Sequence, residues 1–225
     1  MKPARLALLA LALSLPTILA SQATIGTGPA PGSPMGIAAW GTGDLATPSY
    51  GQTFRAPAGN TRLDVISFWL EGGSSLTFRA YVYAWDTANR RASGSALFTS
   101  AIGAAPGGSG YQRLDVTTGG VALAANTTYV AFLSTSGIAQ PTGGIGWEIS
   151  YDEYGDGSLV WLNNPDDASR WTSAEWSTGW DGSGGDLRFE MAFNQSAVIP
   201  EPSTYALMAT GLVGLAGIAR RRRRA

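Results

Sequence analysis

The 225-residue chain has no cysteine and no histidine. Those two absences exclude disulfides, thiol nucleophiles, imidazole-based triads and the usual zinc ligand sets. The only lysine is Lys2, at the extreme N-terminus, so a serine nucleophile with a lysine base is excluded as well. Charge is sparse, at 14% of residues. No amphipathic helical pattern stands out between the two termini, and no repeat of 20–50 residues is present, which argues against a solenoid or propeller. What is abundant is glycine, with 30 residues, and tryptophan, with eight. That composition fits many tight turns between aromatic-rich strands, and a domain that depends on core burial rather than on covalent staples.

Both ends carry long apolar runs. Met1–Ala23 has the layout of a secretory signal peptide. Lys2 and Arg5 form its positive start, Leu6–Leu15 its apolar stretch, and Pro16 breaks that stretch before a polar end. Ser21-Gln22-Ala23 puts small residues at the two positions that a signal peptidase inspects, which predicts cleavage after Ala23. Cleavage after Ala20 is the alternative, with Ile18 less suited to the upstream position.

At the other end, Pro200, Glu201 and Pro202 precede an apolar run over 203–219 and then five arginines, Arg220, Arg221, Arg222, Arg223 and Arg224. As a helix that run would be about 25 Å long, slightly short of a ~30 Å hydrocarbon core. The guanidinium groups cannot follow it into lipid, so they would remain on the cytoplasmic side. The order of proline–glutamate–proline, apolar helix and basic end closely resembles the PEP-CTERM sorting signal. The resemblance implies recognition at the inner membrane by an exosortase, a membrane-embedded transpeptidase, followed by release to the cell exterior. An ordinary single-span tail anchor is the competing reading of the same residues.

These boundaries give a signal peptide at 1–23, a lead-in linker at 24–36, a body at 37–197 and the sorting tail at 198–225. Seven of the 15 Lys+Arg residues lie in the two address segments, whereas 15 of the 16 Asp+Glu residues lie in the body. The body is therefore distinctly acidic, which argues against nucleic acid or anionic lipid as its partner.

Within the body, short β-type runs alternate with clusters of Gly, Asn, Asp and Ser. Thr61–Glu71 is apolar on both parities and predicts a central buried strand. Leu76–Trp85 alternates: Leu76, Phe78, Ala80 and Val82 face one way, Thr77, Arg79, Tyr81 and Tyr83 the other. The Glu71-Gly72-Gly73-Ser74-Ser75 segment between these runs predicts a hairpin connection. Leu97–Ile102, Gln112–Val116 and Thr128–Leu133 are further strands, with a turn at Ala125-Asn126. Asp186–Asn194 alternates cleanly, with Leu187, Phe189, Met191 and Phe193 inward and Arg188, Glu190 and Ala192 outward. The predicted fold is all-β, an antiparallel β-sandwich of jelly-roll type, flanked by the signal peptide and a C-terminal transmembrane helix. Through Tyr50–Phe54, Phe78–Trp85, Tyr129–Ser134 and Asp186–Phe189 the body is similar to other exported β-sandwich domains, a likeness that implies no activity.

Chemistry-bearing side chains concentrate between Trp147 and Asp186. Trp147, Trp161, Trp171, Trp176 and Trp180 lie there among Asp152, Glu153, Asp156, Asp166, Asp167, Glu175 and Asp181. Exposed indoles stack on sugar rings while carboxylates accept hydroxyl hydrogen bonds, so this stretch is a candidate carbohydrate-binding region. Trp176 and Trp180, in Gly/Ser-rich surroundings, are the residues expected to face solvent; packing of these indoles in the core is the competing reading. Asp152 and Asp156 are candidate calcium ligands in a turn that lacks the full EF-hand pattern, and a hairpin with solvated acids competes with that reading. No other cofactor is expected. A glycosidase would need paired carboxylates, for which Glu148, Glu175 and Glu190 are available. The expected role is non-catalytic: a structural or adhesive component of the envelope or of extracellular polysaccharide. A carbohydrate-binding module is the first alternative and a glycoside hydrolase the second. Signal peptidase and exosortase are the expected processing partners, and the membrane the transient anchor.

Overall fold

The computed structural model describes residues 22–28, 35–43, 46–140, 142–179 and 184–194, with 210–212, 215 and 219–222 from the tail. The body is built from β1 (Gln22–Gly26), β2 (Met35–Thr42), β3 (Ser49–Arg55), β4 (Arg62–Glu71), β5 (Thr77–Asp86), β6 (Arg91–Thr99) and β7 (Gly103–Ala104). They are followed by β8 (Tyr111–Ala122), β9 (Thr128–Ser134), β10 (Gly143–Ser150), β11 (Leu159–Leu162) and the helical turn α1 (Arg170–Ser173). Last come β12 (Ser177–Thr178), β13 (Asp186–Leu187) and β14 (Phe189–Asn194).

The strands form two antiparallel sheets. In the first, β2 pairs with β10, β10 touches β4, and β4 pairs with β8; β14 also runs beside β4 and carries β1 on its other side. The second runs β12-β11-β3-β9-β5-β6. The chain changes sheet at most connections. One consequence corrects a sequence expectation: Gly72-Gly73 is not a hairpin, because β4 and β5 belong to different sheets.

Period-two alternation sets what lies between the sheets. Leu76, Phe78, Ala80 and Val82 enter the interior, as do Leu187, Phe189, Met191 and Phe193. They meet Trp40, Tyr50, Phe54, Phe68 and Trp147 there. The Trp40 and Trp147 rings pack edge to face at 5.2 Å, and Phe68 lies 5.0 Å from Trp147. Close-packed aromatics of this kind supply the burial that a domain without disulfides requires. Asn126 takes a left-handed conformation, φ +56°, at the turn expected before β9.

Two expectations change at the ends of the body. The lead-in predicted at 24–36 begins inside a strand: β1 pairs residue by residue with β14, from Gln22 opposite Asn194 to Gly26 opposite Glu190. At the other end the described tail residues are helical, but among the described residues no helix is long and apolar enough to cross a membrane. Most of the span expected at 203–219, the Pro200-Glu201-Pro202 trio, Arg223 and Arg224, and the signal segment up to residue 21 lie outside the described residues.

Candidate binding site on the outer face of the second sheet

The face of β5, β9 and β11 turned away from the interior is also apolar. Tyr81, Val130, Phe132, Val160 and Leu162 are buried there, beneath the segment 163–178. That segment contributes Trp171 and Trp176, both packed edge-on against the Phe132 ring at 5.2 and 5.1 Å. A buried hydroxyl–amide network holds it down. Ser49 Oγ donates to Asn164 Oδ1 at 2.8 Å, lies 2.8 Å from Ser134 Oγ, and accepts from Trp171 Nε1 at 3.1 Å. Trp176 Nε1 donates to the Trp171 carbonyl at 2.9 Å.

Trp176 is therefore not the solvent-facing indole expected from its neighbours; its relative exposure is 0%. The polar composition around it belongs to a cover that turns its two large residues downward. Trp147 and Trp171 are buried as well, and Trp161 is half-buried with Nε1 donating to the Gly179 carbonyl at 2.9 Å. Trp180 and Asp181 lie outside the described residues.

Where the cover ends, one indole is left half-exposed. Trp85, the last outward aromatic of β5, packs edge-on against Trp176 at 5.9 Å and forms one wall of a pocket of about 330 Å³. Thr53, Thr128, Thr178, Arg90 and Asp156 also line it. Several contacts fix this geometry. The backbone N–H of Ser158 donates to Thr53 Oγ1 at 2.9 Å. Gly157 runs so close to β3 that a Cβ there would collide with the Thr53 carbonyl oxygen. The Arg90 carbonyl, on a residue with φ +47°, accepts from Trp176 N at 2.7 Å, and its guanidinium is ion-paired with Glu175. Sequence patterning placed Trp85 at the end of a strand without marking it as a site residue, and did not mark Arg90; the available signal was that the outward parity of β5 ends in an aromatic next to a turn.

A partly exposed indole face bordered by threonines, by Asp156 and by an Arg90 that is ion-paired with Glu175 suits a small polyhydroxylated group. The ring takes C–H faces, and the polar rim takes hydroxyls. Among the described residues Asp156 is the one carboxylate that lines the pocket, and Glu148, Glu175 and Glu190 do not line it. Glu175 pairs with Arg90 and Glu190 with Arg113 at 3.0 Å, while Glu148 Oε1 lies 3.6 Å from Arg188 Nε, within ion-pair range but without a hydrogen bond.

Asp152 and Asp156 are both exposed in their turn, and among the described residues no group of three or more carboxylates is placed to hold a metal ion. Glu153 from this turn accepts from Arg188 Nη1 at 3.0 Å, and Asp186 accepts from Tyr154 N at 2.8 Å and from Gln52 Nε2 at 2.7 Å. The neighbouring acids thus tie the turn to the sandwich.

Residues 198–224 match the PEP-CTERM protein-sorting motif. Among solved structures, the chain is similar to the cysteine protease and lectin-like domains of Cwp84, a surface layer associated protein of Clostridium difficile. The identity is 13%, the TM-score 0.46, and the match covers 67% of this chain and 32% of that one. It is also similar to a protein in the structure of infectious bursal disease virus, Gx strain, at 12% identity and a TM-score of 0.26, over 88% of this chain and 49% of that one. The chain thus spans less than half the length of either. No curated protein matches it.

Proposed function

Starting from a chain that carries the PEP-CTERM protein-sorting motif, and is therefore an exported, surface-directed substrate of exosortase processing, we propose that the body acts outside the cell as a non-catalytic adhesive component of the envelope or polysaccharide matrix. The observation that carries this reading is the arrangement of its acids: among the described residues one carboxylate lines the pocket, Glu175 and Glu190 are ion-paired with arginines, and Glu148 lies 3.6 Å from Arg188. Such a surface binds without supplying a pair of acids to cleave a glycosidic bond. A C-terminal helix over 203–219 would hold the precursor in the inner membrane until processing. The pairings β2-β10-β4-β8 and β3-β9-β5-β6 support a jelly-roll topology for the body.

The half-exposed Trp85 favours one refinement, a carbohydrate-binding module that grips a neutral sugar in the pocket. The test is binding and turnover measured together on purified extracellular polysaccharides. Retention on the polymer without release of reducing ends supports the adhesive role. Release of reducing ends that is lost in one glutamate variant with an intact fold overturns it.

A further inference from the structure

The end of the secretory signal offers two cut sites, after Ala20 and after Ala23, and small-residue spacing favours the second. The fold favours the first. Every residue of β1 has a partner on β14: Gln22 faces Asn194, Ala23 faces Phe193, Thr24 faces Ala192, Ile25 faces Met191 and Gly26 faces Glu190. Ala23 and Ile25 also pack against the interior core. A cut after Ala23 would delete the first two rungs and the Ala23 contact. It would also place a charged ammonium on Thr24, inside the remaining ladder and next to Ile25. The end of β14 at Phe193-Asn194 would then lose its cover and become an open strand edge. A cut after Ala20 puts the ammonium on Ser21, one residue outside the ladder and beside exposed Gln22.

We propose that the secretory signal is removed after Ala20, so that the mature protein begins at Ser21 and keeps β1 whole. This rests on the reading of Met1–Ala23 as a cleaved signal. It also gives the body a defined order of closure. The first strand to leave the cytoplasm pairs with the last, and that last strand leads directly into the sorting tail, so the first sheet is completed only after the whole body has crossed.

The test is N-terminal sequencing and intact mass of the full-length precursor after export in a bacterial host. A start at Ser21 is expected, with processing blocked by Ala20→Val and unaffected by Ala23→Val. A start at Thr24, blocked by Ala23→Val instead, overturns the proposal while leaving the signal reading intact. A product that retains Met1 overturns both. As an independent readout, a precursor lacking Gln22 and Ala23 is expected to yield a body that melts about 2–8 °C lower than the parent, from the loss of two rungs. An unchanged melting temperature would count against the proposal.

Discussion

Two aromatic clusters, one on each side of the second sheet, bury indoles equally well by different means. Trp147 and Trp176 both have 0% relative exposure. Around Trp147 the walls are strands from both sheets, and the ring touches Trp40, Tyr50 and Phe68. Around Trp176 one wall is the sheet, through Phe132, but the other is irregular chain held by Ser49, Ser134 and Asn164. Equal burial does not mean equal rigidity. A hole beside Trp147 cannot close without moving a sheet, whereas a hole beside Trp176 can be filled as the cover settles.

The largest effect should therefore come from Trp147→Ala, a loss of about 3–5 kcal/mol in chemical denaturation. Trp176→Ala should cost less, about 2–3 kcal/mol, because the cover can relax, and the loss should appear as faster hydrogen exchange in 163–178 with the interior strands unchanged. If both variants lose the same stability and open the same amides, the two clusters form one cooperative unit and the distinction fails. Ser49→Ala sharpens it. Removing that hydroxyl leaves Trp171 Nε1 and Asn164 Oδ1 without this partner, and about 1–3 kcal/mol should be lost from the outer cluster alone.

The interior was far more legible in the sequence than the outer cluster. The alternations in β5 and β14 assigned their inward residues correctly because one face of each strand must meet the opposite sheet. The apolar two-sided run in β4 announced a strand with neighbours on both edges, which it has in β8 and β14. The outward parity was harder. Arg188 points outward as expected, yet it is buried, because Glu153 and the Thr27 carbonyl close over it. Trp176 sits among residues typical of exposed loops, and only the tertiary position of Ser49 and Asn164 turns it inward. β1 is short and ends in glycine, and nothing in five residues reveals a partner at the far end of the body. The pocket beside Trp85 draws residues from β3, β5, β9 and the turn at Asp156, so no local pattern could display it.

At the margin of the outer cluster, Trp85→Ala should change stability by only about 1 kcal/mol, because the indole is half-exposed. Its effect should fall on binding instead. Retention on a polysaccharide bound by the parent should drop about tenfold or more, the change produced by losing about 1.4 kcal/mol of ring contact. Retention unchanged in Trp85→Ala and in Asp156→Asn would remove the pocket from the adhesive role and leave that role to another surface.

The smallest effect concerns the polar side of β10. Glu148 is buried, and burial raises its pKa above the ordinary carboxylate value while Arg188 pulls it back only in part. Burial raises Asp186 in the same direction. A carboxylate raised in the folded state binds its proton before the unfolded chain does, so folding gains stability as pH falls from the folded pKa toward the unfolded one. Asp115 has the opposite sign. Burial pushes it up, but hydrogen bonds from Arg113 and Ser67 outweigh that and lower it, so its contribution is lost as pH falls through its folded pKa. The gain from Glu148 should vanish in Glu148→Gln. The melting temperature of that variant, measured against the parent, should therefore be relatively highest near neutrality and decline as the pH is lowered. A difference that stays constant with pH would mean that Glu148 keeps its charge in the folded protein at an ordinary pKa, with Arg188 fully offsetting its burial.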